Sequence, residues 1–86
     1  DEWEVPGGKY AAPYMLTVDN KDRLWFSETG KQPTRLVGFD PRSMQFTTPV
    51  PVPSGGISVR YGVFHTPTAS VWFGTDANTI ARAQLP

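Results

Sequence analysis

The side chains in this sequence that could do chemistry fall at matching points of two similar stretches. Glu28 closes Arg23-Leu24-Trp25-Phe26-Ser27, while Thr75 and Asp76 close Ser70-Val71-Trp72-Phe73-Gly74. Tyr14 stands 11 residues before Trp25, and Tyr61, beside Arg60, stands 11 before Trp72. Carboxylates such as Glu28, repeated around an axis, can hold a hard cation such as magnesium or calcium, and tyrosines with arginine can hold a small polar or sugar-like ligand. The plainer reading of Glu28 is a loop carboxylate paired with a neighbouring Arg or Lys. His65, the sole histidine, is followed by Thr66-Pro67 and reads as a turn or packing residue before it reads as a base. Asp19, Asn20 and Asp22 lack the spacing of an EF-hand, and a hairpin turn accounts for all three.

The elements that position these groups are strands. Two Trp-Phe pairs, Trp25-Phe26 and Trp72-Phe73, lie 47 residues apart, the period of one blade of a β-propeller. A strand that is apolar on both faces suits packing of sheet on sheet, so these aromatics are core before they are a sugar platform. Nine Pro and eight Gly among 86 residues, spread between short β-rich runs, argue for an antiparallel all-β fold, and no segment carries a 3.6-residue apolar period. Strands are expected at 2–5, 14–18, 23–28, 35–39, 45–50, 57–65, 70–74 and 79–84. The run Pro49-Val50-Pro51-Val52-Pro53 reads as a stiff link between units, with a polyproline II ligand as its alternative.

Composition narrows the function. Eight basic and eight acidic residues give a formal net charge of zero with no cluster of either sign, so neither a nucleic-acid nor an anionic-membrane partner is indicated. No apolar run reaches the ~20 residues of a membrane span, and no signal peptide is expected. There is no cysteine, hence no disulfide and no thiolate zinc site. A chain this short buries little surface alone, which points to oligomerisation. Without an initiating Met, the chain is expected to be processed, trimmed or a piece of a longer propeller.

Pro13-Tyr14-x-Leu-x-Val-Asp, then Leu24-Trp25-Phe26-Ser27-Glu28-Thr29-Gly30, then Arg35-Leu36-Val37-Gly38-Phe39-Asp40-Pro41, resembles the blade signature of the virginiamycin B lyase (streptogramin lyase) family of β-propellers. Residues 46–53 and 3–6 resemble that family's outer strand and the proline-rich link leaving it. The resemblance implies seven blades in one chain, a site at the mouth of the central channel, and a magnesium-assisted elimination using histidines and a glutamate. The family histidines follow the proline before the innermost strand, where this chain has Tyr14 and Tyr61. The glutamate precedes one of them by two residues, where this chain has Ala12 and Val59. None of the family's catalytic residues carries over, and an imidazole accepts a proton near neutrality whereas an ordinary phenol is matched to pH ~10.

The expected organisation is therefore two four-stranded blades offset by one strand: residues 1–6 an outer strand for a neighbouring blade, 13–53 the first blade, and 57–86 three strands of the second. Closed propellers typically have ~4 to 8 blades, so a homotrimer of six blades is expected, the strand at 3–5 pairing in trans with that at 79–84. Function is expected to be non-catalytic binding of a small polar or sugar-like ligand, or of a protein partner, at a channel mouth formed by Tyr14, Glu28, Arg60, Tyr61 and Asp76. No cofactor is expected beyond magnesium or calcium on the axis. The alternative is a metal-assisted lyase using Glu28 or His65 as base.

Overall fold

The first hairpin is set by its turn. The Asp19 carboxylate accepts the backbone N–H groups of Lys21 (2.8 Å) and Arg23 (3.0 Å), and Asp22 adopts a left-handed φ of 59°, the local hydrogen bonding that makes Asx residues turn formers. On either side, in the computed structural model, run β1 (Pro13–Val18) and β2 (Leu24–Glu28). The structure describes residues 1–52 and 59–86. The expected limits at Pro53 and Ile57 lie outside the described residues.

Two antiparallel meanders follow the order of the chain. In the first sheet β1, β2, β3 (Arg35–Asp40) and β4 (Gln45–Phe46) pair in sequence, with β5 (Val50–Pro51) also on β3. In the second, β6 (Gly62–His65), β7 (Ser70–Gly74) and β8 (Ile80–Gln84) pair in sequence. The described residues contain no α-helix, only single 3-10 turns at Gly8–Tyr10 and Thr66–Thr68.

Two strand expectations need correction. The strand expected over 45–50 is split: β4 pairs with one end of β3 and β5 with the other. Between them the Thr47 hydroxyl, not a backbone oxygen, accepts the Gly38 N–H (2.8 Å), and Pro49 has no N–H to donate. The strand expected from 57 begins, in the described residues, only at Gly62. Residues 2–5, expected to pair with a second copy, are not a strand in the single chain. The Trp3 ring lies 5.6 Å from that of Phe39, an aromatic contact within one chain.

Alternation gives each sheet two faces. In β2, Trp25 and Ser27 point toward the second sheet, whereas Leu24 and Phe26 point away, opposite Phe39 and Val37 of β3. The seam between the sheets gathers Met15, Trp25, Leu36 and Val52 from the first sheet and its exit with Val59, Val71 and Phe73 from the second. Ser27 stitches it, its hydroxyl accepting the Met15 N–H (3.0 Å) and donating to the Val59 carbonyl (2.7 Å). The inner strands meet where Gly62 faces Met15: a Cβ on Gly62 would stand 2.2 Å from the Met15 sulfur, so a larger residue there would make the Met15 side chain move.

Ser27→Ala removes both bonds and strands a buried N–H and a buried carbonyl. The expected outcome is a loss of about 1–3 kcal/mol, measured as a lower urea midpoint with unchanged slope, which marks lost stability in an otherwise intact fold.

Candidate functional site

Register brings the expected site residues to one end of the strands. Pro13, at the start of β1, pairs with Glu28, at the end of β2, and Gly62, at the start of β6, pairs with Phe73 near the end of β7. Because Met15 meets Gly62, the starts of the two inner strands lie side by side. Arg60 and Tyr61 precede β6 and Thr75 and Asp76 follow β7 at this same end.

Within that end, Arg60, Tyr61, Gly74, Thr75 and Asp76 line one recess of about 360 Å³. Its floor is a held turn. The Thr75 N–H donates to the Thr79 carbonyl (2.9 Å), their hydroxyls bond at 2.6 Å, the Ala77 N–H donates to the Thr75 hydroxyl (3.2 Å), and Asn78 takes a left-handed φ of 64°. Three of the five expected residues are thus brought together. Gly74 was missed by sequence reasoning; its signal was its place in the repeat, where Ser27 carries a side chain and Gly74 leaves open space.

The other two stand apart from the recess. Tyr14 is exposed at the start of β1 and does not line it. Glu28 is wholly buried. One carboxylate oxygen accepts the Gly7 N–H (2.7 Å), and the other accepts both Nε (2.9 Å) and Nη2 of Arg35, its cross-strand neighbour. The carboxylate expected at the channel mouth is therefore an anchor that ties the segment before β1 to the first sheet. Gly7 has to be glycine here, since a Cβ would meet Glu28 Oε2 at 2.6 Å.

His65 sits at the opposite end of β6, pairs with Ser70 and places Nδ1 2.8 Å from the Thr68 hydroxyl. Glu28 and His65 are thus on different sheets at opposite strand ends, with no shared reaction centre. Among the described residues, no group of three or more His, Asp or Glu side chains is placed to hold a metal ion. Asp19 does structural work, accepting Arg23 Nε (2.7 Å) and the Trp25 indole N–H (2.8 Å) in addition to its two backbone donors.

Chemically, the recess offers a guanidinium, a phenol ring, a hydroxyl and a carboxylate around one small space. That set can bind a hydroxylated anion: the guanidinium takes a carboxylate and the ring takes an apolar sugar face. It contains no thiol, imidazole or activated nucleophile.

Asp19 supplies a pH test. Burial pushes its carboxyl up, but the Arg23 N–H, the Trp25 indole, the Lys21 N–H and the Arg23 guanidinium together hold it below the ordinary aspartate value. With a folded value below the unfolded one, its contribution is fully present above pH ~3.9 and is lost as pH falls through the lower folded value. Urea midpoints taken from pH 6 down to pH 2 should show this acid loss in the native chain and a flatter profile, from a lower starting stability, in Asp19→Asn.

The chain matches no protein-family model, no curated protein and no solved structure.

Proposed function

We propose that this chain is a non-catalytic, ligand-binding subunit of a β-propeller assembled from copies of itself, similar to the streptogramin lyases in blade pattern and different from them in chemistry. Each sheet is one blade, and three copies make six. The observation that carries the binding role is the recess in which Arg60, Tyr61 and Asp76 converge beside the inner strands. Its donors and acceptors suit a small hydroxylated carboxylate of the uronic acid kind, held by Arg60 through its carboxylate and by Tyr61 through ring contact. The buried, doubly satisfied Glu28 and the remote His65 support binding over elimination chemistry.

The test is a titration of glucuronate into isotopically labelled protein, followed by NMR. Expected are shifts confined to Arg60, Tyr61 and residues 74–76, and a loss of affinity of at least ~10-fold, or about 1.4 kcal/mol, in Arg60→Ala and in Tyr61→Ala. The absence of shifts at millimolar glucuronate, or equal affinity in both variants, overturns the assignment. Consumption of a streptogramin lactone with magnesium, abolished by Glu28→Gln, would replace it with the lyase reading.

A further inference from the structure

The internal seam uses one face of each sheet, and the repeat makes the two unused faces a second copy of the same pair. Inside the chain, the Trp25 face of the first sheet meets the Val71 and Phe73 face of the second. Outside are the face of the second sheet that carries Trp72 and the face of the first that carries Leu24 and Phe26, the repeat counterparts of Val71 and Phe73. Resting on the ring reading above, we propose that these outer faces are a docking site for a second copy of this chain: Trp72 of one copy seats in the groove formed by Leu16, Leu24, Phe26, Phe39 and Phe46 of the next.

Three observations carry this beyond the mere presence of apolar surface. First, both faces keep exposed apolar side chains, although Phe26 and Phe39 at the bottom of the groove are 7% and 9% exposed. Leu16 and Val18 are 65% and 50% exposed on one, and Val63, Trp72 and Ile80, which register places on a common face, are 68%, 40% and 80% exposed on the other. Patches of this kind mark interaction surfaces. Second, the two tryptophans differ. The Trp25 indole N–H is bound by Asp19, whereas Trp72 has no such carboxylate among the described residues; each carries an arginine over its ring, Arg23 at 5.3 Å and Arg82 at 5.7 Å. Third, charge is complementary. Asp1 and Glu2 line the groove, and Arg82 stands beside Trp72.

In the single chain the groove is half-covered by Trp3, which lies on Phe39 without belonging to a strand. A docking copy displaces the Trp3 ring from Phe39 and leaves Asp1 and Glu2 at the rim. The same copy brings its β8, whose outer edge has no strand neighbour among the described residues, to the rim where residues 1–5 lie. The contact is heterologous, one face onto a different face, so copies add head to tail until the ring closes.

The faces can be blocked one at a time, because Trp72 and Leu16 are exposed in the single chain and Trp72→Glu and Leu16→Glu leave its seam untouched. Light scattering and sedimentation should find the full chain trimeric. Each variant should be monomeric, with self-association weakened at least ~30-fold and an unchanged circular dichroism spectrum. Mixed in equal amounts, the two variants should form a 1:1 dimer, since each retains the face that the other needs. A full chain that assembles while both variants assemble equally well overturns this interface and leaves the ring standing. A full chain that stays monomeric at millimolar concentration makes residues 1–5 the permanent cover of the groove and overturns both.

Discussion

Burial of Trp25 is the constraint on which the rest depends. Its ring lies wholly inside the seam, and an indole so placed must find an acceptor for its N–H, or pay the cost of a buried unpaired donor. Asp19 meets that need from the turn before β2, and the same carboxylate orders the turn by accepting two backbone N–H groups. The charge is held in turn by Arg23, whose guanidinium also covers the Trp25 ring. One acidic residue therefore fixes a hairpin, a core aromatic and the ion pair that shields both.

The second sheet repeats the strands without this lock. Thr66-Pro67-Thr68 form a 3-10 turn where the first hairpin has its acidic loop, and Gly74 stands where Ser27 bridges the sheets. The two repeats are thus alike in backbone and unlike in what holds them. In the first, polar side chains inside the sheet secure an interface already made. In the second, the corresponding face carries exposed Val63, Trp72 and Ile80 beside Arg82, with His65, Ser70 and Gln84 toward its far end, while Gly74 opens the recess at the strand ends.

Much of this was legible in the residues. The 47-residue repeat located five of the strands to within a residue or two, because hairpin turns rich in Asx, Pro and Gly punctuate alternating apolar runs. The convergence of Arg60, Tyr61 and Asp76 followed from placing strand starts and strand ends at one edge. What stayed hidden depended on side-chain direction. Glu28 and Arg35 face each other across β2 and β3, but spacing alone does not say that their common face is covered by Gly7. A bulge in β1 between Pro13 and Leu16 was also invisible. It offsets a first turn one residue shorter than the second, so the distance from tyrosine to tryptophan is equal in both repeats although Thr17 opposes Trp25 where Val63 opposes Trp72. Alternation in residues 2–5 describes which side chains can share a face and not what that face meets in one chain, where Trp3 lies on Phe39.

The meander topology has a consequence for how the chain acquires its structure. Within each sheet, neighbouring strands in space are neighbours in sequence apart from the short β5, so loop closures are brief and each sheet can zip from its own turns with little entropic delay. Long separations enter with the seam, where Ser27 reaches the Val59 carbonyl and Met15 meets Gly62. The contacts that join distant parts of the chain are thereby concentrated in the packing of the two meanders around Trp25.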